Sequence, residues 1–201
     1  RTGTNPISLA APSNKYPYFL FDAATSSIAG NKVRLVARNG TKLSAGSIGD
    51  ENGNPIMEPM SVDVSEDFIN IPNLLPLGGN RDQGSHKGYG LSLFVEILCT
   101  ILSGNVPNMV DPNGNLCHFF AAFNIESFTE YNIFISNMDA MLETLLNTPS
   151  TSEADRVIYP GIMEYENEQD RIENGIPLHK EVVEWFSSTS KLMKIDSVKL
   201  L

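Results

Sequence analysis

The chain has 201 residues, enough for one large domain or for a domain with part of another. Hydrophobic residues make up 41% and charged residues 19%, a composition that builds a core and excludes a disordered chain. Lys and Arg number 14 against 24 Asp and Glu, and the net charge of −10 excludes nucleic acid as the main partner while leaving room for a small anion in a local basic pocket.

Along the chain, "RTGTNPISLAAPSN" carries no Met and enters a turn followed by a strand, which predicts a piece of a longer polypeptide. "YPYFLFDAATSS" climbs through apolar residues from Tyr16 to Phe21 and meets Asp22, the pattern of a buried strand ending at a polar turn. Thr25, Ser26 and Ser27 read as caps of a helix whose apolar residues are Ile28, Ala29, Val33, Val36 and Ala37. Asn39-Gly40 closes that helix with residues that tolerate positive φ. "GDENGNPIMEP" is turn chemistry around Asn52-Gly53, and "FINIPNLLPLGGN" is a weak extended piece from Phe68.

"GGNRDQGSHKGYG", Gly78 to Gly90, follows, with Arg81, His86 and Lys87 among its glycines. Residues 91, 94, 95, 98, 101 and 102 then fall on one helix face, and Gly104 stops the helix. Leu116 to Phe123 reads as a buried strand. A long helix follows, opened by Ser127 and Glu130 at capping-box spacing, with Tyr131, Phe134, Met138, Leu142 and Leu145 inward. "RVIYPG" reads as a short strand, "MEYENEQDRIENG" as a charged helix closed by Gly175, and "IPLHKEVVEWFSSTSKL" as a last helix with Val182, Val183 and Phe186 inward. Trp185 points to another side, so this last segment, with Leu200-Leu201 behind it, is expected to pack on something beyond the chain's own core. Strands and helices in this mixed order predict an α/β or α+β class.

Cys99 and Cys117 sit in apolar runs and read as buried thiols, because a disulfide scaffold uses more cysteines in a shorter chain. No apolar stretch reaches the roughly 18 residues of a membrane span, and no signal peptide is visible, which fits a cytoplasmic protein. No Cys/His cluster suggests zinc, and no Ser lies in a nucleophile-elbow pattern. His118 reads as a core histidine, His179 as a solvated residue at a helix start, and His86 as a candidate ligand contact. A Gly-rich stretch before a helix offers unpaired amides and a positive dipole to an anion, with Lys87 adding a point charge. The same stretch also reads as a connector whose Lys87 faces solvent. Neither the Walker nor the dinucleotide spacing is present. Asp22, where strand gives way to helix, either faces a ligand crevice or caps the helix.

"GTNPIS", "FDAATS" and "HKGYGLSLFVEIL", in that order, with "YPG" and "RIENGIPL" near the end, resemble the malate/L-lactate dehydrogenase-like family over nearly the whole chain. These are non-Rossmann NAD(P)-dependent 2-hydroxy-acid dehydrogenases, a group that includes ureidoglycolate and sulfolactate dehydrogenases and cyclic imino-acid reductases. The resemblance implies an α/β (α+β) fold with a mixed sheet flanked by helices, an NAD(P)-binding part over 1–160 and a C-terminal helical segment over 161–201. It implies that Asp22, Ala23, Ala24, Lys87, Gly161, Ile162 and Met163 meet NAD or NADP, and that Thr4 lies near the substrate.

The implied reaction is hydride transfer between nicotinamide and a small 2-hydroxy or 2-oxo acid, malate first. The family's "SHG" histidine, which donates the proton, and its carboxylate-gripping Arg have no match here, so no catalytic residue is expected within this chain. The resemblance further implies a missing N-terminal part of the same polypeptide and a homodimer. Ile162 stands where the family has Glu. A non-catalytic dinucleotide-binding module and a cyclic imino-acid reductase are the alternatives.

Overall fold

The computed structural model describes residues 2–62 and 73–198. The element order among them is β1 (Ile7–Ala11), β2 (Phe19–Ala23), α1 (Gly30–Arg38), β3 (Ile48–Gly49), β4 (Asn73–Leu74), α2 (Ser85–Glu96), α3 (Tyr131–Leu146), α4 (Ile162–Asn174) and α5 (Lys180–Met193). A π-helical turn, Ile97–Ile101, extends α2, and a 3-10 turn, Ile125–Ser127, precedes α3. The class is mixed α/β, with the strands in two small sheets, β1 beside β2 and β3 antiparallel to β4. The chain divides into two compact units: Arg1–Ala10 with Leu20–Phe134, and Ala11–Phe19 with Ile135–Leu201.

The first unit is built around α1. Val33 and Val36, three residues apart, bury one stripe of that helix against Leu43 and Ile48. Ile28, Ile56, Met60 and Leu74 close the rim of this cluster. Each fully buried aliphatic side chain contributes roughly 1.5–3 kcal/mol. Asn39 and Gly40 end the helix, the Gly40 N–H donating to the Ala37 carbonyl at 3.1 Å with Gly40 at φ 63°. The register of β3 on β4 sets Ile48 opposite Leu74, so the small sheet feeds the same cluster.

The second unit packs Leu142 of α3 and Ile162 of α4 on Tyr159, with Tyr16, Phe19 and Leu146 around them. The buried Asp139 of α3 accepts the backbone N–H groups of Asn14 and Lys15 at 2.9 and 3.0 Å. A carboxylate there supplies a charge-assisted anchor for the turn ahead of β2. Gly175, at φ 81°, closes α4 as the sequence predicts.

Several expected elements differ. The strand expected over Tyr16–Phe21 is Phe19–Ala23 and is half-buried, with Leu20 and Asp22 on its exposed side. Thr25, Ser26 and Ser27 do not cap α1, which begins at Gly30, and the methyl of its N-cap Ala29 offers no acceptor. Ser127 stands four positions before the first residue of α3, so it forms no capping box with Glu130. "RVIYPG" is irregular, because Tyr159 is turned into the core and its hydroxyl donates to the Pro17 carbonyl at 2.8 Å.

The largest departures concern apolar runs. Of the face expected on the helix from Leu91, only Val95 is fully buried; the buried stripe of α2 is Gly88, Ser92 and Val95. Leu116 to Phe123 is not a buried strand: Leu116 is 84% and Phe120 88% exposed. His118 is likewise exposed, its ring 6.1 Å from that of Phe120, instead of lying in a core. Cys99 and Cys117 are free thiols as expected, but half-buried. Of the extended piece expected from Phe68, the part up to residue 72 lies outside the described residues, and Asn73–Leu74 forms β4; Leu200-Leu201 lies wholly outside them.

Candidate functional site

The side chains of β2 alternate, and its last residues leave Asp22 on the exposed side of the strand's end. The chain then turns through Ala24 and Thr25 into α1. At that turn lies a cleft of about 370 Å³ lined by Thr4, Pro6, Asp22, Ala23, Ala24, Ala29, Gly30, Asn31 and Arg34. Its size is at the low end of the roughly 300–1,000 Å³ of small-molecule sites, which suits part of a large ligand.

Hydrogen bonds brace the wall on both sides. The Thr25 N–H donates to the Thr4 carbonyl at 2.8 Å, and its hydroxyl reaches the carbonyls of Thr4 and Asn5 at 3.1 and 3.0 Å. The Ser27 hydroxyl donates to the Pro76 carbonyl at 2.7 Å, and the Leu77 N–H returns to the Thr25 carbonyl at 2.9 Å. The residues that sequence alone suggests as caps therefore tie two loops to the end of β2.

The chemistry of the lining is mixed. Gly30 and Asn31 bring the first amides of α1 to the cleft, and no side chain caps that helix. Such amides and the positive helix end favour an anion. The Arg34 guanidinium, one turn further on, adds a bidentate donor and also reaches Asn31 Oδ1 at 3.3 Å. Asp22 is an acceptor suited to hydroxyl groups. Ala23, Ala24 and Ala29 keep the wall low, so a ligand can approach the backbone. The set suits a small ligand that carries both an anionic group and hydroxyls.

Four expected site residues, Thr4, Asp22, Ala23 and Ala24, thus share one cleft. Lys87 is elsewhere in the same unit, in the first turn of α2, and is not among the cleft's lining residues. The glycine-rich stretch is helical from Ser85 onward; only its start is loop, ended by Gly84 in a left-handed conformation at φ 96°. The amides of Gln83, Gly84, Ser85 and Lys87 already bond within the segment, to Asn80 Oδ1 and to the carbonyls of Arg81, Asn80 and Gly84. What this stretch has to offer a ligand is the Lys87 ammonium, more than a cradle of backbone donors. His86 is exposed on the same turn.

Gly161, Ile162 and Met163 belong to the second unit. Gly161, at φ 105°, is the N-cap of α4, and Ile162 is buried in the core. Met163 lines a recess of about 310 Å³ with Asp155, Arg156, Ile158, Glu166 and Asn167. There Arg156 and Glu166 form a two-pronged ion pair, one arm of 2.8 Å. That pair holds the Glu166 carboxyl below the usual range and the Arg156 guanidinium above it. Among the described residues no cluster of His, Cys, Asp and Glu could hold a metal ion, and no helix is long and apolar enough to cross a membrane.

Arg34 and Gly30 were not singled out from the sequence. The available signal was a basic residue one turn into a helix that follows an apolar strand ending in Asp.

Residues 1–187 match the family described as malate/L-lactate dehydrogenase. The malate dehydrogenase of Pyrococcus abyssi is 36% identical over 204 aligned residues, covering 98% of this chain and 54% of that protein. The malate/(S)-sulfolactate dehydrogenase of Methanothermus fervidus is 31% identical, covering 96% of this chain and 54% of its own length. The crystal structure of malate dehydrogenase from Entamoeba histolytica superposes with a TM-score of 0.82 at 29% identity, over 95% of this chain and 55% of that one. The chain spans about half the length of the curated relatives it matches.

Proposed function

The chain belongs to the malate/L-lactate dehydrogenase family, and from that premise we propose that it carries cofactor-binding residues of an NAD(P)-dependent oxidoreductase acting on a small 2-hydroxy or 2-oxo acid, malate first. The observation that carries this reading is the convergence of Thr4 with Asp22, Ala23 and Ala24 on one cleft beside the start of α1. When bound, the nicotinamide supplies the hydride chemistry, and the protein's part is to bind and orient.

In this reading the first amides of α1 and the Arg34 guanidinium take a phosphate. The Asp22 carboxylate accepts ribose hydroxyls, and the Thr4 hydroxyl faces the substrate end. Lys87 gives a further contact to the cofactor, and the resemblance makes Gly161, Ile162 and Met163 of the second unit candidate cofactor residues as well. The general acid/base and the carboxylate clamp come from outside these 201 residues, in a cytoplasmic homodimer. Relatives named for malate support that substrate over others.

The test is a fluorescence titration of the intact protein with NADH and with NADPH, followed by an assay of oxaloacetate reduction. Saturable binding of one dinucleotide, weakened at least about tenfold by Asp22→Ala as expected for a lost hydrogen bond to a charged group, is the expected result. Binding of neither dinucleotide would remove this reading.

A further inference from the structure

Thr4 is flanked by two residues in the left-handed region, Gly3 at φ 68° and Asn5 at φ 31°. Glycine adopts that conformation freely; asparagine does so more readily than other residues, but only where its surroundings fix it. What fixes Asn5 is α2. Its Nδ2 donates to the Ser92 carbonyl at 3.1 Å and to Glu96 Oε2 at 3.0 Å. These acceptors lie one turn apart on the same helix, and a primary amide has one N–H for each. Both neighbours only accept, so the nitrogen of the carboxamide, and not its oxygen, must face them. The bond to Glu96 is charge-assisted.

The other side of the loop is held by Thr25, which is buried and donates to the carbonyls of Thr4 and Asn5. Thr4 therefore sits between two clamps, one to the turn after β2 and one to α2. The first clamp holds the backbone oxygens of Thr4 and Asn5; the second holds the side chain of Asn5, the strained residue next to Thr4. Asn5 is not among the residues that line the cleft.

We propose that Asn5 is a positioning residue, which through Ser92 and Glu96 holds Thr4 in register with Asp22, Ala23 and Ala24. The proposal rests on the reading of the cleft as the cofactor and substrate site. Asn5→Asp is the sharpest probe, because it keeps size and shape while setting an oxygen against two acceptors. Glu96→Gln supplies a donor for that oxygen and so rescues the pair. Asn5→Gly, which frees the dihedral and removes the donor, guards against a variant that fails to fold.

Two readouts are taken on the intact protein: hydrogen–deuterium exchange in a peptide spanning Thr25, and dinucleotide affinity by fluorescence. Asn5→Asp and Asn5→Gly should each speed exchange at Thr25 and weaken affinity by about ten- to a hundredfold, the scale of a lost charge-assisted bond. Asn5→Asp with Glu96→Gln should recover part of both, since the Ser92 carbonyl still lacks its donor. Exchange around Tyr165, whose N–H bonds to Gly161 in the other unit, should not move. Unchanged exchange at Thr25 overturns the proposal, and so does faster exchange with unchanged affinity. If the wild-type protein binds neither dinucleotide, the reading of the cleft falls, and exchange at Thr25 still decides whether Asn5 holds the loop.

Discussion

Gly88 of α2 lies directly on the backbone of Leu77: a Cβ added there would fall 2.2 Å from the Leu77 carbonyl oxygen and 2.5 Å from its amide nitrogen. The Leu77 N–H donates to the Thr25 carbonyl, so this approach also sets how far α2 stands from the turn behind the cleft. Gly88→Ala is expected to destabilise the protein by about 3 kcal/mol or more, because backbone on both sides must move. Gly90, one half-turn on, has nothing within 4 Å of the same position. Gly90→Ala should stabilise by roughly 0.5–1 kcal/mol, the helix preference of alanine over glycine. Urea midpoints of the two variants check the pair, and equal shifts would mean that the approach to Leu77 is not tight.

This relationship explains what the sequence could and could not tell. Glycine is needed wherever backbone comes close, whether to a phosphate or to another strand of chain, and "HKGYG" reads the same in both cases. The helices α1, α3, α4 and α5 were legible from periodicity and stop signals, and the Asp50 turn from its residues. The convergence of Thr4 on Asp22 was legible only through resemblance, since the two are 18 positions apart and no spacing rule joins them. Leu116 to Phe123 reads as a buried strand because apolar composition reports a wish for burial, yet the described part of this chain leaves Leu116 and Phe120 uncovered. The strained Asn5 gave no signal, because an Asn-Pro pair is ordinary turn chemistry.

In the proposed reading Lys87 offers a charge and the loop no cradle, and that distinction can be measured. Lys87→Ala should raise the dissociation constant of the dinucleotide by about ten- to a hundredfold, the scale of a charge-assisted bond. Gly84→Ala should leave affinity within about threefold while lowering stability, because Gly84 holds φ 96° and its amide is already bonded within the loop. A larger effect on affinity from Gly84 than from Lys87 would restore the loop as the ligand contact.

Acid should expose the Asp50 turn. The Asn54 N–H and then the Asn54 carboxamide hold the Asp50 carboxyl below its usual value, with the Asn52 N–H at 2.9 Å helping. A carboxyl lowered in the folded state stabilises the fold above its unfolded value, about 3.9, and that contribution is lost as pH falls through the folded value. Asp50→Ala should therefore melt below wild type near neutrality and approach it under acid. A gap that stays constant with pH would show that the carboxylate's charge is not what matters.

Alkali should act on Tyr159. Burial, and then the neighbouring Tyr16 and Glu166, push its phenol above the usual range. The raised group stabilises the fold fully below the unfolded value of about 10, and that contribution is lost as pH rises through the folded value. Tyr159→Phe also leaves the Pro17 carbonyl without its 2.8 Å bond, at a cost of about 1–3 kcal/mol. The variant should start less stable at neutral pH and lose less than wild type does as pH rises past about 10. Parallel loss in both proteins would place the alkaline transition elsewhere.

Trp185 is the chain's one tryptophan and is 59% exposed on α5, its ring 5.1 Å from that of Phe186 in an edge-to-face arrangement. Phe186, Val182 and Val183 take the half-buried side of the helix. An indole so placed reports on whatever covers it. In the 201-residue chain by itself, its emission should lie close to that of free indole and be quenched readily by acrylamide. Trp185→Ala should then cost less than about 1 kcal/mol, because little apolar area is withdrawn from water. In the proposed homodimer or longer polypeptide the same residue should shift to the blue and lose its quenching if a subunit or another part of the polypeptide seats on α5. Full quenching at every concentration of the intact protein would mean that this face stays in solvent, and that the aromatic pair serves the local packing of α5 alone.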